Sequence, residues 1–152
     1  MNNTQDISKI KAKIKVAHYP VIGHPSKDPS GRMSTQNIVL KALRDLGKED
    51  QFKTIYKGIH HVLSTNEYRL LRENNTLFLI KILSQGVGQV QLISADSPKT
   101  LLRSILEFLN AVQKAKYTEI HFDTTNQKII NFLEHSGHQV QNTGNNDYMV
   151  TL

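Results

Sequence analysis

His121 to Val140, HFDTTNQKIINFLEHSGHQV, is the stretch whose reading decides the fold. Its start completes TEIHFD, Thr118 to Asp123, where apolar and polar residues alternate as they do in a half-buried strand. From Asn126 to His135 the apolar residues return at helical spacing, with Leu133 at a core position of an amphipathic turn. Gly137 then sits where a helix is closed by a left-handed residue. HQVQN and DYMVTL follow, separated by Thr143-Gly144-Asn145-Asn146, and read as a closing hairpin.

Working back from this corner, Ser97-Pro98 opens a helix, with Ser97 as cap and Pro98 at the first helical position. Leu101, Leu102, Ile105, Phe108, Leu109 and Val112 give that helix a broad apolar face suited to packing on a sheet. TLFLIKIL and QVQLISA are apolar, β-branched runs joined through Ser84-Gln85-Gly86-Val87-Gly88, a second hairpin. Further back, Ile38, Val39, Ala42, Leu43 and Leu46 share one helical face, and Gly47 ends it. Phe52, Ile55, Tyr56, Ile59, Val62 and Leu63 form the stripe of a second helix. Ser64 and Glu67 match a capping box, which predicts a short third helix through about Arg72, stopped at Asn74-Asn75.

Near the start, KIKAKIKV alternates strictly: Ile10, Ala12, Ile14 and Val16 on one face, Lys9, Lys11, Lys13 and Lys15 on the other. The lysines keep an edge strand soluble, or they form a row of phosphate contacts for nucleic acid. Residues 18–33, with Pro20, Pro25, Pro29 and Ser30-Gly31, read as a long surface loop that shapes a groove or contacts a partner. The order is strand, two or three helices, hairpin, helix, strand, helix, hairpin, which is a mixed α/β sheet covered by helices.

At 152 residues the chain has the size of one domain, 1–152. With 38% hydrophobic and 21% charged residues it reads as a globular protein that folds alone. Cysteine is absent, which removes disulfides, thiolate metal sites and a cysteine nucleophile, and points to a cytoplasmic setting. No segment approaches the ~20 apolar residues of a membrane span, and MNNTQDISKIKAK lacks the core of a signal peptide. A formal charge of +6 permits binding to an acidic partner, whether nucleic acid, a phosphorylated cofactor or an anionic surface, and does not choose among them.

The half from Gln89 to Leu152 resembles the acyl-CoA N-acyltransferases of the GNAT superfamily, through its order of elements and through the separation of Asn126 from Gly137. A looser likeness is to GNAT-like internal virion proteins of short-tailed phages, which would place the chain in a host cytoplasm or a virion. The resemblance implies a GNAT-like central mixed sheet with helices on both faces. It also implies an acetyl-CoA or other acyl-CoA cofactor and an amine acceptor that the sequence does not name.

In that family a loop of pattern Gln/Arg-x-x-Gly-x-Gly/Ala cradles the pyrophosphate with backbone amides. The corresponding segment here runs from Ser94 to Thr100 and departs from the pattern. It has no glycine, Pro98 removes an amide, and Asp96 brings negative charge, which Lys99 and Arg103 offset. The resemblance makes Ile93, Ser97, Lys99, Thr100, Arg103 and Asn126 the cofactor-binding set. Gln85-Gly86-Val87-Gly88-Gln89-Val90 imitates part of the motif, but a strand follows it, so it reads as a turn.

Family enzymes take the amine proton through a glutamate or water on the fourth strand and return one from a helix tyrosine. The matching places hold Gln89 and Gln91, which do not titrate, and Leu133. His121, Asp123 and Tyr148 are the remaining groups able to act. His135 and His138, with His60-His61 elsewhere, suggest metal ligands less readily than favourable charge at a helix C-terminus, and no metal is expected. Three functions stay open: a divergent acyl-CoA-dependent N-acyltransferase with a degenerate phosphate loop, a non-catalytic GNAT-like binding or virion protein able to pair as a homodimer, and a basic nucleic-acid binder.

Overall fold

A computed structural model describes residues 33–152. The strand expected at 9–16, its lysines Lys9, Lys11, Lys13 and Lys15, and residues 18–32 of the expected loop lie outside the described residues. The described chain runs α1 (Thr35–Asp45), a single 3₁₀ turn (Glu49–Gln51), α2 (Phe52–Leu63), β1 (Tyr68–Glu73), β2 (Thr76–Ser84), β3 (Val87–Ser94), α3 (Pro98–Lys114), β4 (Glu119–Asp123), α4 (Gln127–His135), β5 (Gln139–Gly144) and β6 (Asp147–Thr151).

The six strands form one mixed sheet in the order β1-β2-β3-β4-β6-β5, and only β3 and β4 run parallel. Alternation along β2 divides the core between the two faces. Leu77 joins Ile38, Val39, Leu40 and Leu43 of α1 and Phe52, Tyr56, Ile59 and Leu63 of α2. Phe78 and Ile80 join Ile105, Phe108, Leu109 and Val112 of α3 together with Ile120, Leu133 and Val150. Phe78 and Phe108 stack with ring centroids 4.2 Å apart, which fixes α3 on its face. Helices therefore cover both faces, as expected for a GNAT-like layout.

Local chemistry sets the boundaries. Ser34 Oγ accepts from Asn37 N–H at 3.1 Å and starts α1; Gly47, at φ +70°, turns the chain away after it. Leu46, expected on the buried face, is 69% exposed, and Leu40 takes its place in the core. Gly137, at φ +90°, closes α4 as expected.

The third helix expected from Ser64 to Arg72 does not form. Ser64 instead ends α2, its hydroxyl donating to His61 O at 2.6 Å. Tyr68–Glu73 is a strand paired antiparallel to β2, with Leu70 opposite Leu79. Asn74-Asn75 makes the two-residue turn of that hairpin, with Asn74 left-handed at φ +52°. Pairing with β2 buries Leu70 to 1% exposure, which an isolated helical turn could not do. The β2–β3 turn is also tighter than expected: only Gln85-Gly86 lies outside the strands, and Val87 and Gly88 belong to β3.

Candidate functional site

The parallel seam between β3 and β4 is short. Val87 pairs with Glu119, Gly88 with Ile120 and Gln89 with His121, after which the strands part. Gly88 holds the closed end, because a Cβ there would stand 2.6 Å from Ile80 Cγ2 and 3.2 Å from Tyr117 Cε2. Beyond it, each strand is drawn to its other neighbour. All five residues of β4 pair with β6, and Thr124 N–H continues to Asn146 O at 2.9 Å. β3 stays on β2 as far as Ser94 opposite Thr76.

The far end of β3 is fastened by Asp96. Its carboxylate accepts from Thr76 Oγ1 at 2.6 Å, from Asn75 N–H at 3.2 Å and from Ser104 Oγ at 3.0 Å. Ser94 Oγ accepts from Asp96 N–H at 3.0 Å and lies 2.7 Å from Thr76 Oγ1, and Ala95 N–H bonds Asn75 O at 2.9 Å. The negative charge expected at the phosphate position is thus turned into the fold, where it ties the β1–β2 turn to the entrance of α3.

Because Ala95 N–H points to β2, strand alternation turns the N–H and C=O of Leu92 toward the gap left by β4. These groups face an apolar cavity of about 490 Å³. Val90, Leu92 and Ile93 line it from β3, Ile120, Phe122 and Asp123 from β4, Ile105 and Phe108 from α3, and Ile129 and Leu133 from α4. Gln91, Asp123 and Thr124 supply its polar side chains.

The structure distributes the expected cofactor set unevenly. Ile93 lines the cavity. Ser97 caps α3, its Oγ 3.4 Å from Thr100 N and 3.1 Å from Thr100 Oγ1, so these two residues serve each other. With Pro98 lacking an N–H and Thr100 N–H engaged, the Lys99 amide is the donor left in the first turn. Lys99 and Arg103 are exposed one turn apart beside it. Asn126 is the cap of α4: its Oδ1 accepts from Lys128 N–H at 3.0 Å, while its own N–H donates to Thr124 Oγ1 at 3.0 Å.

Of the three titratable groups, only Asp123 borders the cavity. His121 Nε2 lies 3.2 Å from Glu119 Oε1, with its side chain 31% exposed. It is two residues from Asp123 on β4 and so shares its face. Tyr148 is on the opposite face, stacked on Phe122 at 5.7 Å between centroids. Leu133 is a wall of the cavity, in keeping with its core reading. Thr124 and Leu92 are lining residues that sequence reasoning did not single out. His135 Nδ1 lies 2.7 Å from Asn131 O, and among the described residues no group of three or more His, Asp or Glu is placed to hold a metal ion.

No protein-family profile and no curated protein matches the chain. Among solved structures it is similar to a probable GNAT-family acetyltransferase from Chromobacterium violaceum, at 11% identity and TM-score 0.49, covering 83% of this chain and 91% of that one. It is also similar to the PaiA N-acetyltransferase from Thermoplasma acidophilum, in complex with coenzyme A, at 13% identity and TM-score 0.48, covering 76% and 89%. A third is the ribosomal-protein-S5-alanine acetyltransferase from Vibrio fischeri, at 10% identity and TM-score 0.47, covering 99% and 86%. At these identities and TM-scores the likeness concerns the arrangement of strands and helices alone and assigns no family.

Proposed function

We propose that the chain is a divergent acyl-CoA-dependent N-acyltransferase whose cofactor arm enters between β3 and β4. The observation that carries this reading is the three-pair seam, which leaves the Leu92 backbone unpaired beside an apolar cavity. An unpaired strand edge satisfies its donors and acceptors by adding an extended, amide-bearing ligand, and the pantetheine arm of CoA is such a ligand. The Lys99 amide, with the Lys99 and Arg103 side chains, takes the pyrophosphate in place of a glycine loop. The amine nitrogen of the acceptor attacks the thioester carbonyl, the C–S bond breaks, and the sulfur leaves as thiolate. The carboxylate of Asp123, which borders the cavity, receives the amine proton.

Calorimetry with acetyl-CoA tests this reading, with saturable binding at micromolar concentration expected. No heat and no thermal shift at millimolar CoA sinks it. Asp123→Asn should keep binding and abolish transfer.

Gln89, Gln91 and Leu133, at the places where the family carries titratable groups, favour a second reading: a non-catalytic GNAT-like protein that uses the same scaffold to bind or assemble. Transfer of an acyl group from CoA to any amine rules it out.

A further inference from the structure

We infer that the acyl group is a medium or long aliphatic chain and that it lies in the cavity behind the β3–β4 gap. This inference rests on the acyl-thioester reading above. An acetyl group needs a pocket of little more than one methyl, whereas about 490 Å³ lies within the range of sites for whole small ligands. The depth of the cavity is apolar: Phe78, Phe108, Leu109 and Leu133 form its inner wall, each 3% exposed or less. Water there would find too few of the 2–4 polar partners it needs, so a hydrocarbon is the fitting content.

A second groove, of about 330 Å³, runs along α1 past Leu43 and Leu46 and shares Leu92 and Ile93 with the first. Leu46 and Leu92, 69% and 40% exposed, bring the apolar lining of that groove to the surface. The polar groups bordering the main cavity select the head of the ligand. Asp123 repels a free carboxylate, and the unpaired Leu92 backbone accepts a neutral thioester or amide. The ligand is therefore an S-acyl pantetheine rather than a fatty acid.

The test is calorimetry of the full chain with acetyl-CoA, octanoyl-CoA, S-octanoyl-pantetheine and octanoate. Burying methylenes strengthens binding about three- to fourfold each, so octanoyl-CoA should bind at least about a hundredfold more tightly than acetyl-CoA. Octanoate should bind far more weakly than either octanoyl thioester. Acetyl-CoA binding with no gain from length overturns the chain assignment and leaves the CoA reading standing. Equal binding of octanoyl-CoA and S-octanoyl-pantetheine supports the chain and removes the nucleotide from the reading above. Silence from every thioester overturns both. Leu92→Glu, at a partly exposed position that lines both spaces, should cancel the gain from length while thermal unfolding stays unchanged. A variant that melts normally and keeps the full gain counts against the chain lying beside Leu92.

Discussion

Thr76 Oγ1 stands 2.6 Å from Asp96 Oδ2, and that one contact joins the first residue of β2 to the residue before the cap of α3. Around it Asn75, Ser94 and Ser104 close a network in which the acidic group accepts from three donors. An acidic residue at the mouth of the proposed anion site is a contradiction only while its direction is unknown. Here it holds β3 on β2, and β4, held on β6, cannot follow.

Asp96→Ala leaves Thr76 and Asn75 without their acceptor. Hydrogen bonds to a charged group contribute about 1.5–3 kcal/mol each, and orphaned donors add to the loss, so destabilisation of about 2–4 kcal/mol is expected. Urea unfolding measures it. A change within about 0.5 kcal/mol, the range of ordinary surface substitutions, would show that the network does not hold the strand.

Gly88→Ala places a methyl 2.6 Å from Ile80 Cγ2. Overpacking of this kind costs about 1–3 kcal/mol, and here it strikes the closed end of the seam. Amide exchange should accelerate at Ile120 and His121, which pair with Gly88 and Gln89, more than at β1. Uniform acceleration would mean that the clash is relieved elsewhere.

Asn126 separates a structural from a ligand-binding duty. As the cap of α4 its replacement by alanine should cost about 1 kcal/mol, and Asn126→Ser should restore most of it. If Asn126→Ser regains stability yet binds acyl-CoA like Asn126→Ala, the side-chain amide itself touches the ligand. Full recovery of both makes it a cap alone.

Alkaline pH provides a further check. Burial pushes the phenols of Tyr56 and Tyr117 above their ordinary value of 10.0, against a smaller downward pull from the Thr35 hydrogen bond and from Arg69 respectively. A folded pKa above the unfolded one means stability that is whole below pH 10 and declines as the pH rises through the folded values. Urea midpoints on either side of pH 10 should fall, and the fall should shrink in Tyr117→Phe. An equal fall in both proteins would place the alkaline transition elsewhere.

The sequence shows its local devices plainly. Ser97 is a cap, Gly47 and Gly137 are helix stops, and both later hairpins form within their expected turns, each with a shorter loop. Tyr68–Glu73 misleads because the Ser64/Glu67 spacing and the adjacent Leu70-Leu71 suit a helix, while the partner that makes it a strand begins beyond Asn74-Asn75. That asparagine pair between two apolar runs was the available signal. The direction of Asp96 was not legible, because its partners Asn75 and Thr76 are about twenty residues away in sequence. For the same reason, placing Tyr148 behind the sheet from His121 and Asp123 required the β4–β6 register, which no local spacing encodes.

Among the described residues, three paired positions and the Gly86 carbonyl, which accepts from Thr118 and Glu119 N–H, link β1, β2 and β3 by backbone to β4, β6 and β5. Each trio has a complete antiparallel ladder of its own, and what binds the trios is the side-chain core shared by Phe78, Phe108, Ile120 and Val150. In hydrogen-bond terms the protein is two leaves hinged along a stitch. A chain cut at the left-handed Lys116, φ +74°, yields one leaf carrying α3 and another carrying α4. Their reunion is a question of oil rather than of ladders, and it makes this scaffold a natural candidate for a split protein whose halves meet only when the core is restored.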